Sequence, residues 1–121
     1  MNDINTLYYN DFGIAFQWKR CAAKDFKKVQ LVFRNTGFFL TEAELIQFHK
    51  NVKRSLDSQQ LCSDCKHNGT CRSLLLQTPA NQISLAMSLI ELQDVQDLIK
   101  GTITQLELEH VFKANNISKG D

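Results

Sequence analysis

The chain has 121 residues, 43% hydrophobic and 22% charged, the composition of one globular domain that can bury a core without a disulfide or metal staple. Lys+Arg 14 against Asp+Glu 13 leaves a net charge of +1, so nothing in the balance demands nucleic acid or an anionic membrane as partner. No apolar run approaches the ~20 residues of a spanning helix, and Met1 to Leu7 lacks the basic-then-apolar pattern of a signal peptide, so the expected compartment is the cytoplasm.

Leu7-Tyr8-Tyr9 and Gly13 to Trp18 flank the turn dipeptide Asn10-Asp11 and predict an N-terminal hairpin. Lys19 to Lys28 reads as a connecting loop carrying Cys21. Its Lys24, Lys27 and Lys28 with Phe26 resemble a small basic patch with an aromatic, but such clusters are usually a solvated loop, so nucleic acid is not expected. Val29 to Phe33 alternates as a strand with Val29, Leu31 and Phe33 on one face; Arg34 to Gly37 turns the chain and Phe38 to Leu40 returns it.

Thr41-x-x-Glu44 is a capping box, and Leu45, Phe48, Val52 and Leu56 follow it at helical spacing. The helix is expected to end around Asp57 to Gln60. After Cys71, Leu74 to Gln77 and Ile83 to Met87 form strands around a turn holding the only proline, Pro79. Ser88-x-x-Glu91 is a second capping box, with Leu92, Val95, Leu98 and Ile99 as its apolar stripe. Gly101 is a plausible helix stop. Thr104-x-x-Glu107 can then cap a last helix carrying Leu108, Val111 and Phe112, unless the helix runs through Gly101.

The two capped helices match at an offset of 47, Thr41 with Ser88, Glu44 with Glu91, Leu45 with Leu92, Phe48 with Val95 and Val52 with Ile99. The expected fold is α+β: an antiparallel sheet with helices on one face, built from two ββα-like repeats plus an N-terminal hairpin. A single domain over residues 1–114 would contain a cysteine loop at 61–72, followed by a flexible tail at 115–121.

The run from Val29 through Leu40-Thr41-Glu42-Ala43-Glu44-Leu45, with Leu76-Gln77-Thr78-Pro79 and Ile83 to Leu92, resembles a family of small uncharacterised proteins from Bacteroidetes-type bacteria. The resemblance covers most of residues 7–100 and rests on strand patterns and helix caps. It implies the fold and a bacterial cytosol, and it implies no activity.

Cys62, Cys65 and Cys71 stand in a C-x2-C-x5-C spacing within ten residues. A C-x2-C pair in a tight loop can aim two thiolates at one tetrahedral Zn²⁺, with the third beyond Asn68-Gly69 and Cys21 as fourth ligand. His67 is the alternative fourth ligand, with His49 and His110 as further choices. The spacing is also similar to the fumarate–nitrate reduction regulators and WhiB-like proteins, which implies a 4Fe–4S cluster on the same four cysteines as the alternative. Radical-enzyme auxiliary domains carry a further cysteine where this chain has Leu75, so that resemblance fails. A reversible Cys62–Cys65 disulfide ranks below both, because thioredoxin-type C-x-x-C opens a helix and this pair follows one; four unrelated reduced thiols remain the plain alternative.

His49 beside Phe48 and Val52 reads as a semi-buried helix residue, and Glu42, Glu44 and Glu91 as first-turn groups facing the helix dipole. There is no G-x-S-x-G, phosphate-binding glycine loop or H-E-x-x-H, so an enzyme is not expected. The expectation is a cytosolic binding or regulatory module with structural zinc, its partner an unidentified protein or a second copy. An iron–sulfur redox sensor and a metal-free self-associating scaffold are the alternatives.

Overall fold

The computed structural model describes residues 4–19, 27–57, 72 and 74–114. Four strands, β1 (Ile4–Tyr9), β2 (Gly13–Trp18), β3 (Val29–Phe33) and β4 (Thr36–Leu40), form an antiparallel sheet in chain order. Helix α1 (Glu42–Asp57) follows, then a two-stranded sheet of β5 (Leu74–Gln77) and β6 (Ser84–Met87), then helix α2 (Leu89–Ala114). The fold is α+β, as the alternating strand patterns and the two capping boxes predict. The strands divide into two sheets rather than one.

Side chains meet the carbonyls of the smaller sheet. Leu75 and Ala86 lie opposite each other in the β5–β6 ladder. Their carbonyls are taken by side chains: Ser55 Oγ of α1 donates to Leu75 O at 2.9 Å, and Arg34 Nη1 to Ala86 O at 3.2 Å. These side chains occupy acceptors that further strands would otherwise use.

Both capping boxes form in full. The Thr41 N–H donates to Glu44 Oε1 at 2.9 Å and the Glu44 N–H to Thr41 Oγ1 at 3.1 Å; Ser88 and Glu91 repeat the exchange at 2.9 and 3.1 Å. Behind them, Leu45, Phe48, Val52, Leu92, Val95 and Ile99 are all fully buried. Burial of each contributes about 1.5–3 kcal/mol.

The hairpins match too: Val29 pairs with Leu40 as Leu74 pairs with Met87, and Leu31 with Phe38 as Leu76 with Leu85. They differ in the turn, two residues at Arg34-Asn35 against the wider loop 78–83. Thr78 Oγ1 organises that loop, donating toward Ala80 O and Ile83 O at 3.0 and 2.9 Å. In the tight turn Arg34 has a φ of 55°, the positive value that the first central residue of a two-residue hairpin turn requires.

α2 runs unbroken through Gly101, so neither the stop at Gly101 nor a separate helix capped by Thr104 exists. A glycine is needed there for space: a Cβ would stand 2.6 Å from the Tyr8 ring. Helix hydrogen bonding continues because a lone glycine weakens a helix by only about 1 kcal/mol. Leu108, Val111 and Phe112, carried on this same helix, are exposed. The contact of Glu42 at the start of α1 with His110 near the end of α2 shows that the two helices run antiparallel.

Rings link the layers: Phe12 stacks on Phe33 at 5.4 Å, Phe33 meets Phe38 at 5.9 Å, and Phe38 meets Phe48 of α1 edge-on at 5.3 Å. Among the described residues no helix is long and apolar enough to cross a membrane.

Candidate binding face

The four strands INTLYY, GIAFQW, VQLVF and TGFFL contain no charged residue. Alternation places half of their side chains toward the helices: Ala15, Val29, Leu31, Phe33 and Leu40 are buried there. The other half point away. Cross-strand register aligns them in rows, Thr6–Phe16–Gln30–Phe39 and Tyr9–Ile14–Val32–Gly37, with Ile4 opposite Trp18. A bulge between Thr6 and Tyr8 keeps both ends of β1 in these rows while Leu7 turns into the core.

Ile4, Ile14, Phe16, Trp18, Val32 and Phe39 are each partly exposed, and none belongs to the core cluster or packs against it. Tyr9 is 70% exposed, the most open of the large hydrophobic side chains among the described residues. Phe16 and Trp18 meet edge to face at 5.3 Å. The Lys28 ammonium lies 5.0 Å over the Phe39 ring, which holds one cation at the margin of the face. Exposed Lys19 and Lys27 stand at the same end of β2 and β3.

Acidic groups collect on the helix side instead. The Tyr8 hydroxyl donates to both Asp97 carboxylate oxygens at 3.0 and 3.1 Å, and Asn10 Nδ2 donates to Asp97 Oδ2 at 2.9 Å and Asp94 O at 3.2 Å. The hydrogen bond to Asp97 raises the Tyr8 phenol, with burial and the Asp97 charge adding to it. Burial, then the charges of Asp97, Asp11 and Glu91, raise the Asp94 carboxyl. This group docks the first hairpin on α2 and offers no paired acid and base at an open site.

At the N-terminus of α2, Arg72 clasps Glu91 with Nε–Oε1 and Nη2–Oε2 distances of 3.0 and 2.8 Å, while Arg34 Nε lies 4.0 Å from Oε2. Burial alone would raise the Glu91 carboxyl. The hydrogen bonds from Arg72 and the Ser88 N–H, with both arginine charges, hold it below the ordinary carboxylate value. A shallow depression of about 480 Å³ opens beside it, lined by Arg72, Ser88, Ile90 and Glu91. Its cations already have their counter-ion in Glu91, so it reads as an ion-paired cap.

Cys21, Cys62, Cys65, Cys71 and His67 lie outside the described residues, as do Lys24, Phe26 and the tail at 115–121. His110 Nε2 lies 3.0 Å from Glu42 Oε1 at the α1–α2 contact. His49 Nε2 is buried with no hydrogen-bond partner among the described residues. Burial lowers the His49 imidazole, helped by the charges of Lys53 and Lys100. Among the described residues no group of three or more His, Cys, Asp or Glu is placed to hold a metal.

Sequence reasoning assigned one face of β3 to the core and missed its reverse. The signal was present in Ile14-x-Phe16-x-Trp18, where the residues between the core-facing positions are themselves apolar. Compared with known proteins, the chain matches no family model, no curated protein and no solved structure.

Proposed function

We propose that this protein is a non-catalytic binding module whose working surface is the outer face of the four-stranded sheet. The observation that carries the reading is the two-sided apolar character of that sheet. The inner face fills the core, while the outer face presents aromatic and branched side chains that the core does not use. The strands of this face carry no charged residue, and contiguous apolar patches left in contact with solvent mark interaction sites. The same proposal includes a structural zinc site, which rests on the sequence spacing of Cys62, Cys65 and Cys71 with Cys21 or His67 as fourth ligand. A bacterial cytoplasmic setting, from the resemblance to small Bacteroidetes-type proteins, belongs to the same proposal.

An apolar fluorescent dye tests the surface. The native protein is expected to enhance 1-anilinonaphthalene-8-sulfonate fluorescence, and an Ile14→Thr/Phe16→Ser variant to lose most of that signal. The variant's melting midpoint is expected to stay within about 4 °C of the parent, the effect of at most ~1 kcal/mol in a domain this size. Unchanged dye fluorescence, or a variant that no longer folds, contradicts the reading.

A further inference from the structure

We infer that the C-terminal turns of α2 form a second docking surface, separate from the sheet, which takes an amphipathic basic helix of a partner protein. Successive residues of an α-helix turn by about 100°. On that spacing Leu108, Val111 and Phe112 share one side of α2, within an arc of about 100°. Glu107 and Glu109 stand on the two margins of that stripe, about 100° either side of Leu108. The three apolar side chains are 46%, 49% and 41% exposed. Val95, Ile99, Thr102 and Leu106, on the opposite side of the helix, are buried. The stripe is therefore surplus to the core.

The packing around α2 explains why it is open. Asp94, Asp97 and Gly101 lie on the same side of the helix as Leu108, and there Tyr8 and Asn10 of the first hairpin cover it. Farther along, Leu108 has no such cover among the described residues. α1 has 16 residues against 26 in α2, and Glu42 at its start meets His110. The turn from Val111 onward thus projects past α1. The stripe continues a helix face that already docks the hairpin.

Charge selects the occupant. Glu107 and Glu109 have no hydrogen bond or ion pair among the described residues, whereas Glu42 meets His110 and Glu91 meets Arg72. The partial negative charge at a helix C-terminus adds to theirs. A second copy laid antiparallel along the stripe would set these carboxylates against their own kind, and like charges oppose such pairing. A helix with apolar side chains at i, i+3 and i+4 and Lys or Arg on both margins meets the stripe and both carboxylates together. Three partly exposed side chains fall short of the ~800 Å² per partner of a stable complex, which implies transient binding. The same carboxylates repel an anionic dye, which keeps this stripe out of the dye signal of the sheet.

The test is fluorescence anisotropy of the full chain with a labelled, end-capped peptide of leucine and lysine, four helical turns long with its leucines on one side. The same peptide with glutamate in place of lysine is the comparison, and sedimentation velocity of the protein alone reports self-association. The lysine peptide is expected to bind at least about tenfold tighter than the glutamate peptide. Leu108→Ala/Phe112→Ala, which keeps good helix formers on α2, is expected to weaken it about tenfold. Glu107→Gln/Glu109→Gln should weaken it about fivefold at low salt and flatten its salt dependence. Tyr9→Ala, on the outer sheet face, should leave it unchanged. No binding, equal binding of the two peptides, affinity indifferent to Leu108→Ala/Phe112→Ala, or a loss on Tyr9→Ala overturns the inference. If Leu108→Ala/Phe112→Ala alters the sedimentation of the protein alone, the occupant is a second copy and the inference fails.

Discussion

The ring of Tyr8 lies where a side chain at position 101 would be: a Cβ on Gly101 would stand 2.6 Å from three ring atoms. The hydroxyl of the same residue donates to Asp97 one turn earlier on α2. The first hairpin is therefore locked to α2 by one ring fitted over one glycine. Glycine to alanine in mid-helix ordinarily stabilises by about 1 kcal/mol. Here Gly101→Ala is expected to destabilise by about 1–3 kcal/mol, because the ring must leave its place. In a Tyr8→Ala background the same change should become stabilising. Chemical denaturation of the four proteins reads the reversal, and a stabilising Gly101→Ala in the parent would refute it.

The two capping boxes have the same geometry and different surroundings. Glu44 serves only its cap in the contacts seen, whereas Glu91 also takes Arg72 and lies near Arg34. Glu44→Ala is expected to lower stability by ~1 kcal/mol and Glu91→Ala by about twice that. The Glu91 carboxyl titrates below its ordinary 4.5 in the folded chain, so its contribution is complete above that value and fades as pH falls through the folded value. The stability gap between parent and Glu91→Gln should therefore narrow in acid below about pH 4. A gap that is constant with pH would separate Glu91 from its arginines.

His49 carries the opposite dependence. Burial and the charges of Lys53 and Lys100 lower its folded value, so below the ordinary 6.5 the unfolded chain binds the proton first. Stability contributed by the neutral ring is full above that value and is lost as pH falls toward the folded one. Thermal melts near pH 8 and pH 5 should show a larger loss for the parent than for His49→Gln. Equal losses would remove His49 as the cause.

For the cysteines the expected result is metal. Protein purified anaerobically without metal-affinity resin should carry about one zinc per chain and no visible absorbance, and Cys62→Ser should lose the zinc and stability together. Iron with sulfide and a band near ~400 nm would replace zinc by a cluster. Metal-free protein would leave ordinary thiols.

What was legible in the sequence is what local patterns control. Thr41-x-x-Glu44 and Ser88-x-x-Glu91 placed both helix starts, and period-two alternation placed Val29, Leu31 and Phe33 in the core. Gly101 left a stop and a continuous helix both open because the residue that explains it, Tyr8, is distant in the chain; a glycine needed for close approach looks the same in sequence as one that ends a helix. The split into two sheets was hidden for a similar reason. Strand partners across the chain, and contacts such as those of Ser55 and Arg34 with the carbonyls of Leu75 and Ala86, leave no local pattern. The outer sheet face was readable in part: Phe16 and Trp18 break the polar-out rule, but only the register shows that Tyr9, Phe16 and Phe39 share one side.

The most direct test of the working surface is a map of amide chemical-shift changes in isotope-labelled protein titrated with 1-anilinonaphthalene-8-sulfonate. The account predicts that the largest changes fall on Tyr9, Ile14, Phe16, Trp18, Lys28 and Val32, with Leu92 through Ile99 of α2 unmoved. Changes centred instead on Arg34, Arg72 and Ser88 would move the site to the ion-paired cap of α2 and contradict the sheet as the binding face.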